Sequence, residues 1–392
     1  MTTEGRLPLD DHAAGDSTHS AFESVYIHVP FCRHRCGYCD FTLVTGRDDL
    51  IPRYMTAIES EMRPWATSLP IKTLFFGGGT PTHLPAAVLH QFLTMVTRIF
   101  PLGPDAEFSV EANPLDLTAE RVDVLARAGC NRLSLGVQSF NDHHLALLER
   151  DHRGAEIGLV VERVKRSIPN ISLDLIFGVP GQSLEEWERD LRAAIACDPT
   201  HISTYGLTFE EGTAFNTRKL RGGLAPIDEG LEREMYALAM RLLTTNGYRH
   251  YELSNFARPG FECRHNLAYW NGSSYAAFGP GAASFLDGTR RTNTRSVLGY
   301  LAKIESGEPV IAEEETLEKA HAMREAIYVG LRRLDGITFA EFSQRFGIDL
   351  KACAKEPLDK LTGQGLLDVD EKGIRLSREG IFLANRVMAE FL

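Results

Sequence analysis

The feature of this sequence most able to do chemistry is a group of three cysteines spaced C-x-x-x-C-x-x-C. Cys32, Cys36 and Cys39 lie in the string VPFCRHRCGYCDF. Three clustered thiolates can hold three irons of a four-iron cluster, which leaves the fourth iron without a protein ligand. An iron with an open position can bind a small molecule and react with it. The alternative at this spacing is a closed zinc site, with His28 or His34 as the fourth ligand.

The segments around the cysteines alternate between short apolar strands and amphipathic helices, and this pattern predicts about six βα units. The predicted strands are SVYIHV, KTLFFG, AEFSVEA, NRLSLGVQS, ISLDLIFGVP and HISTYGL. Repeated βα units favour a parallel sheet, either open and doubly wound or closed into an incomplete barrel. Both arrangements place a binding site at the carboxyl ends of the strands.

Unusual polar and glycine residues stand where five of these predicted strands end. The cysteines follow the first strand, residues 77–80 (Gly-Gly-Gly-Thr) follow the second, and Glu111, Gln138 and Asp174 belong to the next three. Each residue alone has a plain alternative as a solvated loop side chain. Their recurrence at successive strand ends predicts one shared site.

The same motifs, in this order, resemble the radical S-adenosylmethionine family. The resemblance rests on the cysteine string, with an aromatic residue before Cys39, and on FFGGGTPT, SVEANP, LSLGVQSF and LDLIFGVPGQ. Within that family the chain resembles, from about Tyr26 to its end, oxygen-independent coproporphyrinogen III oxidase (HemN) and its relative HemW. The resemblance implies an α/β fold: a partial (βα)6 radical SAM barrel followed by a smaller C-terminal winged-helix-like domain.

The resemblance also implies the cofactors. The three cysteines would hold a 4Fe–4S cluster, and S-adenosylmethionine would chelate the open iron. One electron from the cluster, supplied by a donor such as a flavodoxin or ferredoxin, would then break the sulfonium C–S bond. For Tyr26 and Tyr38, two of the expected contacts, the alternative role is packing. For Arg150 the alternative is a surface charge. The residues expected to contact these cofactors are Tyr26, Tyr38, Gly78, Gly79, Thr80, Glu111, Gln138, Arg150 and Asp174.

Two features separate the HemN-like from the HemW-like interpretation. HemN-like sequences carry a further cysteine two residues after the third, and this chain has Phe41 there. The second feature is the string RHNLAYWNG, which matches the H-N-x-x-Y-W motif that is associated with haem binding in HemW. The residues of that motif in this sequence are His265, Asn266, Tyr269 and Trp270.

The haem motif has its own physical rationale. His265 offers an imidazole that could ligate haem iron, and Tyr269 and Trp270 offer flat apolar area for a porphyrin. The alternative is a structural turn whose aromatic residues simply pack, and Cys263 is a weaker candidate ligand. HemW-like sequences often carry histidine after a later Gly-x-Gly-Ala stretch, where this chain has Ala283.

Composition limits the remaining function classes. The chain has 392 residues, 43% hydrophobic and 24% charged, and a net charge of −11, which disfavours general nucleic-acid binding. The other four cysteines are scattered and do not form a disulfide framework. Because no secretory signal or membrane-length apolar run is present, we expect a cytoplasmic protein. The predicted regions are a disordered tail over 1–22, a radical SAM core over 23–255, a haem-motif region over 256–314 and a helical, winged-helix-like domain over 315–392.

The sequence therefore predicts a HemW-like haem chaperone, a radical SAM fold used for haem carriage rather than for oxidation. Its expected partners are haem, haem-accepting proteins that include membrane respiratory proteins, and an electron donor, with no nucleic acid. The first alternative is oxidative decarboxylation of coproporphyrinogen III. The second is a zinc-stabilised α/β protein without radical chemistry.

Overall fold

A computed structural model describes residues 22–392 of the chain. Nearly all of the predicted disordered tail lies outside these residues. The strands are β1 (Ser24–Val29), β2 (Phe31–Cys32), β3 (Val44–Thr45), β4 (Ile71–Gly78), β5 (Leu102–Ala112), β6 (Arg132–Gln138), β7 (Asn170–Phe177), β8 (His201–Gly206), β9 (Arg249–Glu252), β10 (Asn255–Ala257), β11 (Tyr275–Phe278), β12 (Ala283–Leu286), β13 (Thr289–Asn293), β14 (Ile311–Thr316), β15 (Ile337–Thr338), β16 (Leu367–Val369) and β17 (Gly373–Leu376).

Helices connect these strands and form the C-terminal domain. They are α1 (Ile51–Met62), α2 (Ala86–Ile99), α3 (Ala119–Arg127), α4 (Asp142–Leu147), α5 (Ile157–Lys165), α6 (Leu184–Ala196), α7 (Ala214–Leu220), α8 (Glu229–Thr245), α9 (Arg264–Trp270), α10 (Val297–Ser306), α11 (Lys319–Gly330), α12 (Phe339–Phe346), α13 (Leu350–Cys353), α14 (Lys355–Gly363), α15 (Arg378–Phe382) and α16 (Ala384–Ala389).

One large sheet organises the molecule. Its strand order is β14-β13-β12-β11-β1-β4-β5-β6-β7-β8-β10-β9. The six predicted strands are its central members, β1 and β4 to β8, and each is parallel to its neighbour. Side chains from β4 through β8 and from the loop after β1 line a single cavity, so the sheet curves into an incomplete barrel. The predicted α/β fold is confirmed.

Strand alternation decides which side chains reach the inside of the barrel. In β1, Val25, Ile27 and Val29 are buried in the core beneath the outer helices. Tyr26 and His28 therefore point to the barrel interior, since neighbouring strand residues face opposite sides. Side chains cap two of the helices that connect these strands. Thr118 caps α3, and Ser183 with Glu186 forms a capping box at α6.

The region 256–314 continues the same sheet beyond the predicted βα units. Its strand β11 pairs in parallel with β1, and β12, β13 and β14 follow as antiparallel neighbours. The C-terminal helices enclose a separate hydrophobic core together with a small sheet of β15, β17 and β16. Strands β16 and β17 form an antiparallel hairpin there. Within residues 22–392 no helix is long and apolar enough to cross a membrane.

Candidate functional site

The cysteine loop lies at the carboxyl end of β1 and opens into a cavity of about 380 Å³ that all three thiols line. Cys32 belongs to β2, which pairs with β3 and fixes the start of the loop. A turn in which the Cys39 N–H donates to the Cys36 carbonyl at 3.0 Å orders its end. The Cys32 Sγ lies 3.0 Å from the Thr80 Oγ1. Three thiols therefore face one chamber from a short, well-anchored loop.

The cavity collects nearly all residues that the sequence assigns to the cluster and S-adenosylmethionine. Their juxtaposition is observed, and their roles remain predictions. Tyr26 is the exception, because it faces the barrel interior but is absent from the cavity lining. The predicted residues that line the cavity are Cys32, Cys36, Tyr38, Cys39, Gly78, Gly79, Thr80, Glu111, Gln138, Arg150 and Asp174.

The glycines at the end of β4 are needed for packing within the protein, and not only to leave room for a ligand. A Cβ on Gly78, whose φ is +105°, would lie 2.5 Å from the His28 ring. A Cβ on Gly79 would lie 2.7 Å from the Phe31 carbonyl oxygen. Glycine therefore lets this strand end pack against β1 and the start of the cysteine loop. The glycine backbone, brought in this way to the cavity wall, still faces the chamber.

Two half-buried carboxyl groups give the cavity its acidic character. Burial, with a further contribution from Asp174, raises the pKa of Glu111 to about 8. Its Oε2 accepts a hydrogen bond from the Gly78 N–H at 3.1 Å. Burial also raises the pKa of Asp174, although hydroxyls of Ser134, Ser172 and Ser203 donate to it. A cationic ligand between these groups would relieve the cost of ionising them.

Two residues that line the cavity have a left-handed backbone conformation that residues other than glycine rarely adopt. Gln138 has φ 64° and Glu149 has φ 56°, and neither is glycine. Such strain is common at ligand sites, where the surrounding structure holds it in place. Glu149 accepts from Arg218 and lies 3.3 Å from the His34 Nε2. Glu149 could not be predicted from the sequence, because a positive φ in a residue other than glycine leaves no sequence signal.

Arg150 stands beside the cysteine loop rather than on an outer helix face. Its Nη2 donates to the Gly136 carbonyl at 2.9 Å, and its Nη1 lies 3.7 Å from the Cys36 Sγ. Its Nε is buried without a hydrogen-bond partner among the described residues. Tyr38 packs edge-on against Phe215 of α7. The surface-charge alternative for Arg150 is therefore wrong, while its cofactor contact remains a prediction.

The zinc alternative finds no fourth ligand in this geometry. The His28 Nε2 is held 2.7 Å from the Thr42 carbonyl, and its Nδ1 lies 3.2 Å from the Tyr26 hydroxyl. His34 turns to Glu149. In residues 22–392 no three side chains of His, Cys, Asp or Glu converge on a point that one metal ion could occupy. Cysteines that each ligate a different iron of a cluster need no such convergence.

The barrel interior below the cavity holds a charge that the sequence analysis missed. Arg132 is 2% exposed, and the carboxyl groups that interact with it electrostatically are those of Glu107 and Asp174. Glu107 also accepts from the backbone N–H groups of Arg264 and His265, at 2.8 and 3.1 Å. Glu107 thus anchors the start of α9, and Arg132 compensates its charge from a distance, without an ion pair within 4 Å among the described residues.

Replacing Arg132 by Leu should destabilise the fold by about 1–3 kcal/mol, because it removes a buried positive charge near the Glu107 and Asp174 carboxyl groups. Chemical denaturation measures the loss. The matched control is Arg98→Leu on an exposed site of α2, where we expect a change within about 0.5 kcal/mol. Adding Glu107→Gln to Arg132→Leu should recover part of the stability. An Arg132→Leu protein as stable as the control would contradict the proposed compensation.

The haem motif forms α9 at the amino ends of the strands, the opposite end of the barrel from the cysteines. The His265 Nδ1 lies 2.8 Å from the Thr73 Oγ1, and its Nε2 lies 2.8 Å from the Tyr269 hydroxyl. The ring stacks on Phe75 and is 1% exposed. Burial and Arg132 lower the pKa of His265 to about 3. Both ring nitrogens thus have protein partners, and iron ligation by His265 would require one of them to leave.

The other motif residues divide between the core and a second cavity. Tyr269 and Trp270 line a chamber of about 240 Å³ between the sheet and the C-terminal domain. Asn266 lies half-buried on α9, outside the described cavity linings. Cys263, the weaker candidate ligand, is fully buried, and burial raises the pKa of its thiol to about 12. Packing therefore accounts for His265 and Cys263, whereas Tyr269 and Trp270 also meet open space.

Comparison with known proteins places these features in a family. Residues 26–194 match the Radical SAM superfamily, and residues 317–383 match the HemN C-terminal domain. The chain is 38% identical over 376 residues to the haem chaperone HemW of Bacillus subtilis, covering 94% of this chain and 99% of the relative.

The chain belongs to the HemW family. It is also 34% identical over 382 residues to the haem chaperone HemW of Escherichia coli, covering 94% of this chain and 98% of that one. The coproporphyrinogen III oxidase HemN of Escherichia coli shares the fold with a TM-score of 0.82, 23% identity and coverage of 94% of this chain and 89% of that one. The similarity to HemN concerns the fold, and the sequence relatives decide the family.

Proposed function

We propose that this protein is a haem chaperone that carries a 4Fe–4S cluster and S-adenosylmethionine, binds haem and passes it to acceptor proteins. The observation that carries the proposal is the sequence identity to HemW proteins over nearly the whole chain. Phe41, exposed at the rim of the cysteine cavity, adds to it, because the HemN-like pattern requires cysteine there.

The cavity suits the proposed cofactors. Cys32, Cys36 and Cys39 would hold the cluster, and the chamber they line extends to the carboxyl groups of Glu111 and Asp174. S-adenosylmethionine carries a positive sulfonium group, whose charge Glu111 and Asp174 match, while its amino group must be neutral to ligate the open iron. When bound, the cluster supplies the electron for reductive cleavage of the sulfonium bond. Arg150 would contribute positive charge beside Cys36, where the cluster adds negative charge.

Haem would bind at the other end of the barrel, where the amino ends of the strands lie. Tyr269 and Trp270 offer aromatic surface at an open chamber, and Glu107 and Thr73 fix α9 behind them. His265 then acts as a positioning residue through its bond to the Tyr269 hydroxyl. Iron ligation by His265 remains a prediction. The haem-accepting proteins and the electron donor likewise remain predictions.

Anaerobic reconstitution tests the proposal against both alternatives. The full chain should bind about four iron and four sulfide ions per molecule, as expected for a 4Fe–4S cluster. It should also bind haemin, and it should leave coproporphyrinogen III unchanged when S-adenosylmethionine and a reductant are present. Decarboxylation of coproporphyrinogen III would support the oxidase instead. Stoichiometric zinc, with no iron taken up, would contradict the radical SAM assignment.

A further inference from the structure

The chain that follows the third cysteine is held in place through its backbone carbonyl groups. We call residues 39–43 the post-cysteine segment. The Arg35 guanidinium donates to the carbonyls of Cys39 and Leu43, at 3.3 and 3.0 Å. Between these two residues, the Thr42 carbonyl accepts a hydrogen bond from the His28 Nε2 at 2.7 Å. Side chains from outside the segment therefore bond three of its carbonyls.

The fourth carbonyl is bonded by a residue that is far away in the sequence. Arg295, which follows β13, donates from its Nη2 to the Asp40 carbonyl at 2.6 Å. Its Nε donates to the Thr42 Oγ1 at 3.3 Å. No carboxylate of the described residues lies within 4 Å of the Arg35 or the Arg295 guanidinium. Two positive charges without acidic partners are thus fixed to the backbone beside Cys39.

The loop between β11 and β12 packs directly against the post-cysteine segment. Gly279 and Gly281 in this loop have φ of +103° and +72°, which favour glycine. A Cβ on Gly281 would lie 2.4 Å from the Thr42 Oγ1, and a Cβ on Gly279 would lie 2.6 Å from the His28 carbonyl oxygen. The Gly281 N–H donates to the Thr294 carbonyl at 3.0 Å, which ties the loop to the residue before the arginine.

A glutamate fastens the same loop to the outer helices. Glu61 of α1 accepts from the Gly279 N–H at 2.9 Å and from the Asn293 Nδ2 at 2.6 Å. The Tyr300 hydroxyl of α10 donates to the same carboxyl group at 2.6 Å. None of these residues lines the cysteine cavity. The place of Arg295 is therefore set by contacts that do not depend on the cavity.

We propose that Arg295 is a positioning residue of the cluster site, which fixes the backbone after Cys39 and holds a positive charge beside the cluster. The inference rests on the proposed function, because it requires that the three cysteines bind a 4Fe–4S cluster. A ligand whose backbone is already fixed loses less freedom on binding, so the iron is retained longer. A nearby positive charge favours the reduced form of the cluster and makes its reduction potential more positive. The sheet extension thus supports the cluster site, although none of residues 256–314 lines the cavity.

Substitutions that remove or keep the charge of Arg295 test the proposal in the cluster-reconstituted full chain. The variants are Arg295→Met and Arg295→Lys, and the matched control is Arg53→Met. Arg53 is likewise an exposed arginine with two hydrogen bonds, but both go to the Glu305 carboxylate of α10, at 2.8 Å. Two quantities are measured without oxygen. They are the rate at which a chelator removes iron, and the reduction potential of the cluster, followed by electron paramagnetic resonance.

Arg295→Met should lose iron about fivefold faster than wild type, as expected for the loss of a partly exposed hydrogen bond, and its potential should be more negative. Arg295→Lys should keep both quantities near the wild-type values, because lysine retains the charge and a donor for the Asp40 carbonyl. Arg53→Met should change neither quantity. Wild-type behaviour of Arg295→Met, or equal defects in Arg295→Met and Arg295→Lys, would overturn this role and leave the cluster standing. Wild type that takes up no iron would overturn both the proposed function and this inference.

Discussion

Replacement of Cys36 by Ser should remove the cluster, with iron content after anaerobic reconstitution falling from about four to below one per chain. The same loss is expected for Cys32→Ser and Cys39→Ser. Each of the three thiols lines the one cavity and no other cysteine joins them there, so no spare thiolate can substitute. S-adenosylmethionine should then bind weakly, because its chelation needs the open iron. Iron and sulfide analysis with absorption spectroscopy measures the effect.

The matched control is Cys353→Ser, which alters an exposed cysteine of α13 in the C-terminal domain. Its iron content should equal that of wild type. A comparable loss of iron in Cys353→Ser would show that the assay reports general damage. Full iron and sulfide content in Cys36→Ser would contradict the assignment of the cavity as a cluster site.

The affinity for S-adenosylmethionine should weaken as pH falls below about 8, by up to about tenfold per unit. Glu111 has a pKa of about 8 in the free protein, because burial and Asp174 oppose its ionisation. A positively charged ligand needs the carboxylate, so below that pH binding must first remove a proton. Above it the carboxylate is already present and this contribution is complete. Calorimetric titration between pH 6.5 and 8.5 measures the slope.

Glu111→Gln isolates this contribution, because glutamine still accepts from the Gly78 N–H but does not titrate. The amino group of the ligand titrates with a pKa of about 8 as well, so both proteins will show some pH dependence. We expect wild type to bind more tightly than the variant at pH 8.5 and the two affinities to approach each other at pH 6.5. Parallel pH profiles would show that Glu111 does not face the positive charge.

The sequence predicts which residues meet at the cysteine end of the barrel, because the residues at strand ends follow from the local pattern. The βα periodicity fixes which residues end the strands, and parallel pairing brings Glu111, Gln138 and Asp174 to one edge. Two details of this end could not be predicted from the sequence. The glycines near β4 serve the packing of His28 and Phe31, a contact across strands. The left-handed backbone at Glu149 depends on its tertiary partners.

The haem-motif end was predicted less well, because its residues depend on distant contacts. The sequence offers His265 as an open imidazole, and the structure buries it between Thr73 and Tyr269. The partnership of Glu107 with α9 joins residues about 160 positions apart, and no local pattern reveals it. The parallel pairing of β11 with β1 likewise joins strands that are about 250 residues apart in the sequence, and it does not belong to a βα unit.

The most direct test of the haem-chaperone account is a transfer measurement with the cluster-reconstituted protein. The chain is loaded with haemin, freed of excess haemin, and mixed anaerobically with the apo form of a b-type haem protein. We predict that haem leaves this protein and appears in the acceptor, and that it stays bound when the acceptor is omitted. Haem that remains on the chain despite excess acceptor, in a preparation that decarboxylates coproporphyrinogen III, would contradict the account.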